Sequence, residues 1–133
     1  MEHQAGYQLT VPTGALGELI DAVHELAVGP PAPTWRTGNV TYLGRPRVRD
    51  LPVPATSRPG HAVAAIALTQ RNCSTVDVVF AITESAAYAE FFCRSGRGAK
   101  SPDLVRLRGL VSTTAATLTA RGIPATADPI ADR

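Results

Sequence analysis

Four titratable side chains in the middle of the chain could form a catalytic site: His61, Asp77, Glu84 and Cys93. A nucleophile or a general base needs a titratable partner within hydrogen-bonding reach. The strand pattern predicts a hairpin in which His61 lies opposite Glu84, and a carboxylate there would orient the imidazole and raise its basicity. No third member of a catalytic set is visible, so solvated hairpin ends are the simpler interpretation of this pair.

Asp77 is the most conspicuous polar residue in an apolar strand, because Val76 and Val78 flank it. Its carboxylate could bind a ligand or an arginine such as Arg47 or Arg49. Polar residues near strand ends are commonly hydrated, and hydration is the simpler interpretation here.

A basic, glycine-containing loop, residues 94–101, leads directly into a predicted helix. Backbone amides, the helix dipole and the side chains of Arg94, Arg97, Lys100 and Ser101 could hold a phosphate, a sulfate or a carboxylate. The loop is not a Walker A motif, which requires glycine directly before the lysine and a strand in front. A solvated connection between two helices is the alternative.

Metal and cofactor binding have no support in the sequence. His3, His24 and His61 share no ligand spacing, and Cys73 and Cys93 are too far apart in sequence for a thiolate site. We therefore predict no metal and no cofactor.

Positive charge is concentrated in a basic segment, residues 36–71. It contains six arginines and one acidic residue, Asp50, and has a net charge of +5. Arginine supplies all but one of the 13 basic residues of the chain, which is typical of a high-GC bacterial genome. Trp35 and Tyr42 are too few aromatic residues for a nucleic-acid platform. Nucleic-acid binding is therefore not favoured.

Length and composition indicate one small domain. The chain has 133 residues, of which 44% are apolar, and a core of this size needs neither metal nor disulfides. The N-terminus lacks the pattern of a signal peptide, and no window is apolar enough to span a membrane. We therefore expect a cytoplasmic location, with a domain over residues 1–124 and an extended or disordered tail over 125–133.

Three helices are predicted around a central group of strands. The apolar spacing over Thr13–Val28 predicts the first, with Thr13 as its cap. Thr83 or Ser85 is expected to cap a short second helix that ends near Cys93. The third begins at Ser101 and ends near Gly122.

A hairpin gives the strongest strand signal, with arms His61–Gln70 and Thr75–Thr83. A further strand is predicted at Val40–Leu43, with a partner around residues 47–49. These elements predict an α+β fold: an antiparallel sheet of three to four strands packed against one N-terminal and two C-terminal helices.

Both faces of the predicted hairpin are apolar, so each needs a cover. Pairing Gln70 with Thr75 places Ile66 and Leu68 on the same face as Val79. We expect this face to form a homodimer interface, because large apolar patches usually mark interfaces.

These patterns favour a non-enzymatic binding or accessory protein, acting through a sheet face or the basic segment, as a homodimer with a possible protein partner. A small enzyme with acid–base chemistry on an apolar metabolite, in a pocket between sheet and helices, is one alternative. Anion or nucleotide binding by the loop 94–101 is the other.

Overall fold

The computed structural model describes residues 3–27, 33–37, 40–47, 62–69, 75–93 and 101–132. The strands are β1 (His3–Pro12), β2 (Thr34–Thr37), β3 (Val40–Leu43), β4 (Ala62–Leu68), β5 (Val76–Ile82), β6 (Ala86–Cys93) and β7 (Thr126–Asp132). A 3₁₀ turn (Thr13–Ala15) precedes helix α1 (Leu16–His24), and helix α2 (Ser101–Ala120) lies between β6 and β7.

All seven strands form one antiparallel sheet in the order β3-β2-β4-β5-β6-β1-β7. The protein is α+β, as expected, but the predicted numbers of strands and helices are wrong. Within the described ranges there are seven strands, one N-terminal helix and one C-terminal helix. The extra strands are β1, β2, β6 and β7.

The residues predicted as a second helix form strand β6 instead. Ala87, Ala89 and Phe91 are fully buried, whereas Tyr88 and Glu90 are only half-buried. This period of two belongs to a strand, in which successive side chains point to opposite faces. The segment is apolar on both faces, so its spacing also fits a short helix, and the pairing with β1 and β5 decides between them.

Thr126–Asp132 forms β7, an edge strand paired with β1. Pro129 lies opposite Tyr7 in this ladder. Proline is compatible with an edge strand because only one side of the strand must supply ladder hydrogen bonds.

The predicted hairpin is present as β4 and β5, but the predicted register is wrong by one residue. Ile66 pairs with Val78 and Leu68 with Val76, where Val79 and Asp77 were expected. A register irregularity between Ala62 and Ala64 accompanies the shift. A register shift of one residue pairs each residue with a neighbour whose side chain the predicted register had placed on the opposite face of the sheet.

The strand predicted at Val40–Leu43 is confirmed as β3, with a different partner from the one expected. It pairs with β2, whereas Arg47 lies outside any strand and residues 48–49 lie outside the described part. Trp35 anchors β2 in the core, where it is fully buried and its ring contacts Phe80 at a centroid distance of 5.4 Å.

Helix α1 begins three residues after the predicted cap. The hydroxyl of Thr13 donates instead to the backbone oxygens of Thr83 and Glu84, each at 3.3 Å. Of the predicted apolar face, Leu16, Leu19, Ile20 and Val23 are buried, whereas Leu26 and Ala27 are half-buried. The predicted end of this helix at Val28 lies outside the described residues.

Helix α2 begins at Ser101 and ends before Gly122, as predicted. Gly122 has a φ of +78°, and the amide of Ile123 donates to the oxygen of Leu118 at 3.0 Å. This is the left-handed end that glycine permits. Leu107, Val111 and Leu118 form its buried stripe.

Both helices cover the same side of the sheet, which we name the inner face. They contact each other and the strands β1 and β6. The inner face carries the buried row of Leu9, Ala89 and Phe80, together with Phe91 and Val78. The opposite side is named the outer face.

Candidate binding surface on the outer face

Two of the candidate catalytic residues that the structure describes, Asp77 and Glu84, lie apart. Asp77 is half-buried near the start of β5, and Glu84 is exposed in the turn after its end. Seven residues of extended chain separate them by roughly 20 Å. His61 lies outside the described residues, so its predicted pairing with Glu84 does too. Cys93 is half-buried at the end of β6, opposite Val76.

Glu84 and Ser85 form the tight turn between β5 and β6. The hydroxyl oxygen of Thr83 accepts hydrogen bonds from the amides of Ala86 at 3.1 Å and Ser85 at 3.4 Å. The amide of Thr83 donates to the oxygen of Ala86 at 2.8 Å. Hydroxyl side chains satisfy turn amides as readily as helix amides, which is why the predicted helix cap proved wrong.

The predicted anion loop falls on residues 94–100, which lie outside the described part of the chain and include Arg94, Arg97 and Lys100. Ser101 is the first residue of α2, so the helix start predicted there is confirmed. Anion binding by this loop stays a prediction.

The three predicted interface residues lie on different faces of the sheet. Ile66 and Leu68 are buried on the inner face, with 2% and 5% exposure. Val79 pairs with Ala65 and Glu90 and lies half-buried on the outer face. Of the three, Val79 is therefore the residue placed on the side away from the helices.

A continuous row of directly paired residues crosses the outer face through Val79. It runs Thr41, Arg36, Ala65, Val79, Glu90, Gln8 and Asp128, with one residue from each strand in sheet order. Directly opposite residues of an antiparallel pair share one face, so these seven side chains belong to a single surface. We name it the transverse row.

Flanking rows add apolar side chains to the centre of this face, beside the carboxylates of Asp77 and Glu90. On one side of the transverse row, Ala81 pairs with Tyr88; on the other, Asp77 pairs with Ala67 and Phe92. Ala67, Tyr88 and Phe92 are half-buried, and Ala81 is 3% exposed. The central strands β4, β5 and β6 thus carry two aromatic rings and several aliphatic side chains away from the helices.

Charge is separated along the transverse row. Arg36 is exposed near one end, whereas Glu90 and Asp128 lie toward the other. Five strand spacings of about 4.8 Å separate Arg36 from Asp128 by roughly 24 Å, too far for an ion pair within one chain. Within the described part of the chain, neither of these two residues has an ion-pair partner.

The described ion pairs and the tyrosine–arginine contact lie elsewhere, around the helices. Arg45 pairs with Asp21, and Arg121 with Glu25, each at 2.8 Å. Nε of Arg108 donates to the hydroxyl of Tyr7 at 3.0 Å. That hydrogen bond and the Coulombic effect of Tyr7 raise the pKa of Arg108 above its ordinary value. Arg108 thus joins α2 to β1, whereas Arg121 and Glu25 join the ends of the two helices.

Sequence reasoning missed Gln8, Arg36, Glu90 and Asp128 as surface residues of one site. The signal in the sequence is weak, because these residues come from four separate strands and adjoin only through the sheet order. The alternation in β1, with Tyr7, Leu9 and Val11 on one face, could have identified that strand and placed Gln8 opposite them.

In the described ranges, no group of three or more His, Cys, Asp or Glu side chains could hold a metal ion. None of the described helices is long and apolar enough to cross a membrane. No protein-family model matches the chain, and neither a curated protein nor a solved structure matches it.

Proposed function

We propose that this protein is a non-enzymatic binding protein that acts through the outer face of its sheet and assembles there as a homodimer. The observation that carries the proposal is the group of apolar side chains at the centre of that face, which surrounds the carboxylates of Asp77 and Glu90. An antiparallel sheet with one solvated side alternates apolar and polar residues, yet Val79, Tyr88 and Phe92 point away from the helices.

The chemistry of the face resembles that of a specific interface. Such surfaces combine an aromatic and aliphatic centre with a polar rim. Here Tyr88 and Phe92 flank the centre, whereas Arg36 and Asp128 lie toward the edges. A catalytic function has less support, because Asp77 and Glu84 lie at opposite ends of β5.

A single substitution at the centre tests the proposal. Val79→Asp would bury a carboxylate between two copies, and an unpaired buried charge costs several kcal/mol. We expect the dissociation constant of the dimer to rise at least about a hundredfold, which corresponds to ~2.7 kcal/mol. Native mass spectrometry at low and moderate salt, with analytical ultracentrifugation, measures the change.

Val105→Asp is the matched control. Val105 lies on α2 and is 65% exposed, so the same substitution there adds a charge without changing the outer face. Far-UV circular dichroism should show that both variants keep their helices. A monomeric wild type, or a Val79→Asp variant that remains dimeric, would refute the homodimer.

A further inference from the structure

We infer that the partner on the outer face is a second copy of this chain, stacked about a two-fold axis that runs along the strands between β5 and β6. This inference rests on the proposed function and specifies its geometry. Two-fold dimers use the same patch on both copies, so the patch must be complementary to itself. The charges of the transverse row decide which two-fold arrangement satisfies that condition.

An axis along the strands reverses the strand order of the second copy. When the axis lies between β5 and β6, β2 of one copy lies over β7 of the other, and β5 lies over β6. Arg36 then faces Asp128 of the partner subunit, Val79 faces the partner's Glu90, and each contact occurs twice in the dimer. Both residues lie about 2.5 strand spacings, or ~12 Å, from the axis.

The flanking rows fit the same arrangement. Ala81 of one copy faces Tyr88 of the other, so a small side chain meets a large one. Asp77 faces the ring of Phe92, and no residue of these rows faces a like charge.

The other in-plane axis, along the transverse row, is disfavoured by charge. It would keep the strand order and place Arg36 on Arg36, Glu90 on Glu90 and Asp128 on Asp128 of the second copy. Like-charge juxtaposition suppresses wrong partners and wrong orientations. Arg36 and Asp128 are therefore the residues that select the orientation of the dimer.

The size of the overlapping surface is sufficient for a specific contact. Six strands at ~4.8 Å and a strand length of about 20 Å give a footprint of roughly 500 Å² per copy. The two copies together thus bury about 1,000 Å², without the additional area of protruding side chains. This area reaches the size of a specific interface. Stacked sheets lie about 10 Å apart, a gap that an arginine side chain at the rim can bridge.

Charge reversal with mixing tests this geometry. Arg36→Asp alone places two acids together, and Asp128→Arg alone places two arginines together. Each single variant should dimerise about tenfold more weakly than wild type, because two rim contacts turn from attractive to repulsive. The Arg36→Asp/Asp128→Arg double variant should recover wild-type affinity, since every contact is again between opposite charges.

The weakening of each single variant is the decisive readout, because with an axis along the transverse row each single variant would keep two like-charge contacts, as wild type does. Mixing the two single variants gives a second readout. A heterodimer of Arg36→Asp with Asp128→Arg pairs opposite charges at both contacts, so native mass spectrometry should show it above the share that random exchange gives. The excess should shrink as salt rises, because exposed charges are screened. The two residues lie too far apart within one chain for an intrachain contact to produce this pattern.

The outcomes separate this inference from the proposed function. Single variants that dimerise as tightly as wild type, random exchange in the mixture, or a double variant as weak as the single variants would overturn the arrangement, while a monomeric Val79→Asp variant would still support a dimer through the outer face. Fluorescence of Trp35, the one tryptophan of the chain, verifies that each variant is folded before mixing.

Discussion

The hydrogen bond between Trp35 and His24 joins strand β2 to helix α1, and its removal should destabilise the fold. Nε1 of the fully buried Trp35 donates to Nδ1 of His24 at 3.0 Å. The indole nitrogen is only a donor, so it depends on this acceptor. His24→Ala removes the acceptor and leaves a buried N–H group without a protein partner.

The expected loss combines two contributions. A buried donor left without a partner costs about 1–3 kcal/mol. The imidazole also stacks on the indole, with ring centroids 6.0 Å apart and an interplanar angle of 25°, and such ring pairs contribute about 0.5–1.5 kcal/mol. The free energy of unfolding should therefore fall by about 3 kcal/mol. For a chain of this length, with an unfolding entropy of ~2.1 cal/mol/K per residue, the melting temperature falls by about 10 °C.

Urea and thermal denaturation followed by far-UV circular dichroism measure the loss. Glu25→Ala is the matched control at the next position, where the exposed ion pair with Arg121 contributes at most about 1 kcal/mol. His24→Gln keeps a side-chain acceptor and should recover part of the stability.

A double-mutant cycle with Trp35→Phe isolates the coupling between the two side chains. In the Trp35→Phe background the donor is absent, so His24→Ala should cost at least about 1 kcal/mol less than in wild type. An equal cost in both backgrounds, or a His24→Ala loss no greater than that of Glu25→Ala, would refute the reasoning.

Two further substitutions test how β6 is held. A Cβ added by Gly6→Ala would collide with the backbone oxygen of Phe91, so the free energy of unfolding should fall by about 3 kcal/mol or more in urea denaturation. Gly109→Ala in α2 is its control, because nothing lies within 4 Å of the added Cβ, and it should stabilise by about 0.5–1 kcal/mol. Thr83→Val removes the acceptor for the Ala86 amide and should lower stability by about 1–2 kcal/mol in the same assay. Unchanged stability in Gly6→Ala or Thr83→Val would contradict the packing of this strand and its turn.

Local patterns in the sequence predicted the elements whose apolar residues face only one way. The stripe of α1, with Leu19 and Val23, is buried as its spacing indicates. The stripe of α2 is buried too, and Gly122 ends that helix because its left-handed backbone conformation favours glycine. These signals lie within about twenty residues of chain, so no knowledge of the sheet is needed to find them.

Strand β6 escaped prediction because its two faces are both apolar. Ala86, Ala89 and Cys93 fit the spacing of a helix, while Ala87, Ala89 and Phe91 fit that of a strand. The two possibilities differ only in long-range pairing, since β6 contacts β1 and β5 over its whole length. Strands β1 and β7 were not predicted for the same reason, because they too are defined by pairing with distant parts of the chain.

The outer face could not be read from the sequence because its composition depends on register. A shift of one residue exchanges Val79 with Val78 as the partner of Ile66, and thereby changes which side chains of β4 share a face with Val79. Ile66 and Leu68 were expected beside Val79 for this reason, and they lie in the core instead.

The charges on the outer face show what cannot be predicted from local sequence. Arg36 and Asp128 lie at opposite ends of the transverse row, although nothing in their local sequence marks either one among the other charged residues. Their separation acquires meaning only when the strand order is known, because a row with opposite charges at its two ends complements a reversed copy of itself and repels an unreversed copy. The sheet order therefore carries information about assembly that no single strand contains.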